Sequence, residues 1–97
     1  MKYKAIDGSN WLRRPWRLMS HNDCYRHYCK RTELYEENLI VFRSSDKCYK
    51  VTRWKIPHSP FAKPTIVVYS FRSWREVEYY AQQGIEYIKE IQKLSKQ

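Results

Sequence analysis

Leu39-Ile40-Val41-Phe42-Arg43-Ser44-Ser45-Asp46-Lys47-Cys48-Tyr49-Lys50-Val51-Thr52-Arg53-Trp54-Lys55-Ile56 is the stretch on which the fold turns. Leu39 to Arg43 is a short β-branched and aromatic run, and Cys48 to Ile56 is a second. Between them Ser44-Ser45-Asp46-Lys47 supplies short polar side chains that hydrogen-bond their own backbone, as a tight turn requires. An antiparallel hairpin is therefore expected. Successive strand side chains point to opposite sides, so Tyr49, Arg53 and Lys55 share one face of the second arm and Trp54 falls on the other.

Toward the C-terminus, Thr65 to Phe71 is a third strand candidate, and the apolar centre Ile66-Val67-Val68-Tyr69 predicts a place in the middle of the sheet. Pro57, Pro60 and Pro64 make the segment joining it to the hairpin extended and poor in amide donors, which predicts an ordered surface loop. Ser73-Trp74-Arg75-Glu76 has capping-box spacing and should open a helix. Val77, Ala81, Ile85, Ile88, Ile91 and Leu94 then recur at steps of three and four, an apolar stripe with Tyr80 and Tyr87 on its flank and Glu78, Gln82, Glu86, Lys89 and Lys93 opposite. Gly84 inside this pattern costs about 1 kcal/mol relative to alanine. It marks either close packing on the sheet or a break between two shorter helices.

Toward the N-terminus the pattern is weaker. Lys2 to Ile6 reads as a strand, Asp7-Gly8-Ser9-Asn10 as a turn, and Trp11 to Met19 alternates irregularly around Pro15. Residues 20–37 carry two readings. Ser20 or Asn22 can cap a helix through Glu37 in which Cys24, Tyr28, Arg31 and Tyr35 align, whereas the β-propensity of the same residues favours a strand from Tyr25 to Tyr35. With the helix, the order from Ser20 onward is helix, strand, strand, strand, helix, which is similar to the double-stranded RNA binding fold. The resemblance is one of element order: the lysine-rich start of that family's last helix is represented only by Trp74-Arg75-Glu76, its glycine-containing loops are missing, and it implies no site residues here.

The 97 residues suffice for one domain with a modest core, with residues 1–19 as an N-terminal arm or hairpin. Four Trp, nine Tyr and three Phe against two Gly argue for a folded chain with large rings to bury. No apolar run approaches the roughly 20 residues of a membrane span. The basic start Met1-Lys2-Tyr3-Lys4 is not followed by the apolar stretch of a signal peptide. The odd number of cysteines, Cys24, Cys29 and Cys48, argues against a full disulfide framework and fits a reducing compartment. A cytoplasmic location, in the producing cell or in a host cell, is the expectation.

The net charge of +9 is distributed in blocks. Residues 1–31 and 47–75 are strongly basic, and the latter run holds no Asp or Glu at all; the segment between them carries Glu33, Glu36, Glu37 and Asp46 against Arg43. Two basic blocks brought to one face would attract phosphates and bind them in a salt-sensitive way. A merely solvated surface explains the charge alone; the aromatic residues mixed among the cations favour a polyanion with stackable bases.

Candidate chemistry beyond binding is sparse. His21, Cys24, His27 and Cys29 are the donor types of a zinc site, yet no pair of CxxC knuckles is present and four ligands from so short a stretch are awkward; buried cysteines and partly exposed histidines are the preferred reading. A thiolate pair from the same residues, or a ribonuclease using His21, His27 or His58, needs a spatial arrangement that sequence proximity does not supply. The acidic residues are expected in solvated roles. No enzyme activity, metal or cofactor is therefore assigned.

The second basic cluster is Trp11-Leu12-Arg13-Arg14-Pro15-Trp16-Arg17. Its arginine forks suit phosphates and its indoles suit bases, although Trp11 and Trp16 serve equally well as core anchors of the arm. For Trp54 and Trp74 burial is the stronger reading, with Trp74 packed over the sheet edge.

The expectation is thus an α+β domain, a small antiparallel β-sheet of three or four strands packed against a C-terminal α-helix, with an additional helix near residues 20–37 in one reading. It is expected to bind nucleic acid, RNA or DNA, through Arg13, Arg14, Trp16, Arg17, Lys47, Tyr49, Lys50, Arg53 and Lys55. The alternative is a protein-binding modulator or inhibitor, of phage or mobile-element type, that occupies an acidic or nucleic-acid-like site on a host protein, because Tyr, Trp and Arg are also the residues of protein hot spots.

Overall fold

The hairpin is present and longer at its start than the sequence indicates. In the computed structural model, which describes residues 4–83, its arms are β3 (Tyr35–Ser45) and β4 (Cys48–Pro57), joined by a turn at Asp46 and Lys47. Two strands precede it, β1 (Arg17–His21) and β2 (Tyr25–Arg31), and β5 (Thr65–Phe71) follows. The five form one antiparallel sheet in sequence order, β1-β2-β3-β4-β5, closed by helix α1 (Trp74–Gln83). The α+β class stands, and the strand count is five rather than three or four.

The helix expected near residues 20–37 is replaced by the end of β1, by β2 and by the start of β3. The strand reading of Tyr25 to Tyr35 is nearer, with a turn at 32–34 dividing it. Strand β2 sends Arg26, Tyr28 and Lys30 inward, opposite Val41, Leu39 and Glu37 of β3. Two of its three inward positions are long basic side chains, so the period of two is invisible to hydropathy. The element order is therefore not that of the double-stranded RNA binding fold. Residues 4–6 form no strand; instead the Lys4 amide donates to the Arg43 carbonyl and the Ile6 amide to the Asp23 carbonyl. Asp7 makes the expected turn, its carboxylate accepting from the Ser9 amide at 2.8 Å.

One face of the sheet is covered. The arm crosses it with Ile6, Leu12 and Trp16, and α1 adds Trp74, Val77, Tyr80 and Ala81, over Tyr28, Leu39, Val41, Tyr49, Val51 and Phe71. Arm and helix are tied where the Trp16 indole donates to the Ala81 carbonyl at 3.2 Å. The Trp74 ring meets Tyr49 edge-on and lies near the Arg26 guanidinium, so it sits over the middle of the sheet rather than its edge. At the start of α1 the Ser73 hydroxyl accepts from the Glu76 amide, as a capping box predicts, but the Glu76 carboxylate reaches one residue further back, to the Arg72 amide at 2.9 Å. Ile85, Ile88, Ile91, Leu94, Gly84, Tyr87 and the charges paired with them in the sequence lie outside the described residues.

Strand β5 occupies an edge, not the centre. In a meander each strand pairs with its neighbour in sequence, so the last strand is outermost whatever its composition. Ile66 and Val68, on the uncovered side of this edge strand, are 68% and 51% exposed, whereas Phe71 on its covered side is buried.

Candidate nucleic-acid interface

Strand alternation and the register of the sheet sort the sequence candidates onto two faces. Tyr49, Arg53 and Lys55 do share a face, but it is the covered one. Tyr49 is buried beneath Trp74. Arg53 is committed to Glu37: its Nε donates to Oε2 at 2.7 Å and its Nη2 to the same oxygen, while Lys30 Nζ stands 3.5 Å from Oε1. Glu37, read from sequence as part of a solvated acidic segment, is 1% exposed. Its burial follows from the register, which sets Lys30 and Lys55 on either side of it in the same row. Burial is the largest single influence on Arg53 and works against its charge, but the hydrogen bond it donates to Glu37, the Glu37 charge and Tyr80 together outweigh burial and hold the guanidinium above its ordinary value. Lys55 lies 4.8 Å over the Tyr35 ring. Arg53, Lys55, Thr65, Val67, Tyr69 and Tyr80 line a hollow of about 260 Å³, the part of this cationic face that a ligand can still enter.

Trp16 is also buried, its ring flanked by Lys30 at 4.8 Å and Arg53 at 5.9 Å. The core-anchor reading holds for it. Trp11 is half exposed, with the Arg26 guanidinium 4.2 Å above its ring. Arg13, Arg14, Arg17, Lys47 and Lys50 are exposed. Of these, Lys50 stands on the opposite face of β4 from Tyr49, and Lys47 is at the turn beside it.

That opposite face is covered by no element among the described residues, and it carries a set of rings the sequence reading passed over. Tyr25 of β2 stacks on Phe42 of β3 at 5.3 Å between centroids, and His27 of β2 stacks toward Trp54 of β4 at 5.9 Å. All four are half-buried, so each pair is held in place yet remains accessible from outside. The Asn38 side-chain oxygen is 2.9 Å from His27 Nε2, and the Tyr25 hydroxyl is hydrogen-bonded to Ser20. The register places Tyr25, Phe42, Lys50 and Ser70 in one row and His27, Ile40, Thr52 and Val68 in the next. Arg17 enters the following row beside Cys29, Asn38, Trp54 and Ile66. A band of rings therefore runs between Lys47 and Lys50 at the β3–β4 turn end and Arg17 on β1. The signal for it was the period-two pair Tyr25 and His27, with Phe42 and Trp54 at positions of the same parity on β3 and β4, legible only once β2 is a strand.

The metal-type residues spread along the β1–β2 hairpin. Cys24 is in the turn, its amide and thiol both directed to the Asn22 side chain, His27 is engaged with Trp54 and Asn38, and His21 is exposed. No group of three or more His, Cys, Asp or Glu comes together among the described residues. Burial pushes the Cys29 thiol up and Glu36 adds to it, against the opposing pull of Arg31 and Arg17. A raised thiol is a poor nucleophile at neutral pH. No helix among the described residues is long and apolar enough to cross a membrane. No family model, curated protein or solved structure matches this chain.

Proposed function

We propose that this protein binds single-stranded nucleic acid, RNA or DNA, on the uncovered face of its sheet, without catalysing a reaction on it. The observation that carries this reading is the paired stacking of Tyr25 on Phe42 and His27 on Trp54 in a band flanked by Lys47, Lys50 and Arg17. Unpaired bases stack on such rings, worth about 1–3 kcal/mol per base, and the backbone phosphates take the cations. A duplex hides its base faces, and among the described residues this face presents no helix that could enter a groove. Arg13 and Arg14, exposed on the arm just before β1, add to the positive field around the sheet in this reading. In this reading Arg53 and Lys55 contribute field rather than contact, since Arg53 is committed to Glu37 and both lie on the face opposite the ring pairs.

The test is fluorescence anisotropy with single-stranded and duplex probes over a salt series. Single-strand binding should fall steeply with salt. Trp54→Ala should weaken it by about 5- to 150-fold, the equivalent of one lost stack. Lys50→Ala, at an exposed position, should weaken it evenly across sequences and lower the salt slope by about 1. No binding at low salt, or affinity unchanged in both variants with the fold intact by circular dichroism, overturns the reading.

The protein-binding alternative has one observation of its own. Leu34 and Phe61, 75% and 95% exposed, sit in the loops at one end of the sheet, and His58 ties these loops together through the Leu34 and Thr32 carbonyls. Exposed apolar side chains of this kind suit a protein surface. A chain that binds no probe at low salt would favour this second reading.

A further inference from the structure

The two edges of the sheet are built in opposite ways. Strand β1 spans five residues, begins with Arg17, ends with His21 and is interrupted by a bulge between Leu18 and Ser20. Short length, charge and a bulge are the devices that keep an edge from pairing with another chain. Strand β5 has none of them. Its seven residues, Thr65-Ile66-Val67-Val68-Tyr69-Ser70-Phe71, pair with β4 in unbroken register and contain no proline and no charge. It is the one strand of the five without Lys, Arg, Asp or Glu. No described residue pairs with its outer edge, and Ile66, Val67 and Val68 are all exposed.

We propose that β5 is the seam of a two-fold symmetric dimer, in which the strand pairs antiparallel with β5 of a second copy. The charge of the chain selects this edge: two molecules each carrying +9 repel one another, so self-association needs a surface free of like charges, and β5 is that surface. The strand is also complementary to itself. A two-fold axis at Val68, its middle residue, sets Ile66 against the partner's Ser70 and Val67 against the partner's Tyr69, uncharged pairs throughout. Because the axis of an antiparallel strand pair is perpendicular to the sheet, the uncovered faces of both copies lie on the same side. The seam then covers Ile66 and Val68, and the two ring-bearing faces become one ten-stranded surface. One strand pair is a small interface, so the dimer is weak and concentration-dependent. The inference rests on β5 and on net charge, and stands or falls separately from the nucleic-acid reading.

Sedimentation equilibrium of the nuclease-treated full chain, over concentration and salt, tests it. The expected result is a monomer–dimer equilibrium that tightens as salt rises, because screening removes the repulsion between cationic copies. The double variant Ile66→Lys with Val68→Lys places the charge at position 68 directly opposite its own copy and a second charge at position 66 in the same seam, and should raise the dissociation constant by about 100-fold or more. Both positions are exposed in the single chain, so its circular dichroism and melting should be retained; Lys50→Glu, on the same face but away from the edge, should leave the dimer intact. A wild-type chain that stays monomeric at its highest soluble concentration overturns the proposal. So does a dimer that survives the lysines, which uses another surface, and so does association that vanishes with salt, which is bridged by residual polyanion.

Discussion

Arg53 holds in place Glu37, the most deeply buried charge among the described residues. Glu37 has exchanged water for Arg53 and Lys30, and removing one partner of such a pair leaves an uncompensated charge, at a cost of about 3–5 kcal/mol. Arg53→Ala should therefore lower the unfolding free energy by that order in a denaturant titration, and Glu37→Gln in the same chain should recover part of the loss. A binding defect in Arg53→Ala is thus a stability defect first. Tyr28 and Tyr80 make a second residue-scale case. Burial raises both phenols above the ordinary value of 10.0, with Arg26 opposing it at Tyr28 and Arg53 at Tyr80. A raised folded value means that their contribution is complete below pH 10 and is lost as pH climbs through the folded values. Thermal melts in alkaline buffers should show the midpoint falling above that point, and Tyr28→Phe should flatten the fall. At this scale the sequence is weakest: Arg53 and Lys55 were legible as neighbours of Tyr49, but whether that face meets water depends on what packs over it.

Elements with their own chemistry are the ones the sequence shows best. Thr65 to Phe71 forms β5 over those residues, because β-branched and aromatic side chains suit a pleated strand wherever it lies. The start of α1 follows from Ser73. Its hydroxyl satisfies the Glu76 amide, and Ser73→Ala should cost about 1 kcal/mol, seen as a melting temperature lower by about 4–8 °C. Strand β2 was hidden for the opposite reason. Its inward side chains Arg26 and Lys30 meet the Asp7 carbonyl of the arm and Glu37 of the adjoining strand, contacts that exist only once those elements pack together, so nothing within β2 itself distinguishes it from a polar helix.

Across the whole molecule the two proposed associations respond to salt with opposite sign. Phosphate binding weakens because released counterions are re-bound, whereas a seam between two cationic copies strengthens as their repulsion is screened. Measured together, they separate the role of the uncovered face from that of β5. The sequence by itself determined the class of fold, the hairpin from Leu39 to Ile56, the start of the helix at Ser73 and an excess of positive charge mixed with rings, since these depend on side-chain type and spacing. Which rings and which cations share an accessible surface was decided by the tertiary structure alone. The arm and α1 both fold over the same side of the sheet, taking Trp16, Tyr49 and Arg53 inward to meet Glu37, and that packing leaves Tyr25, His27, Phe42 and Trp54 on the side available to a partner.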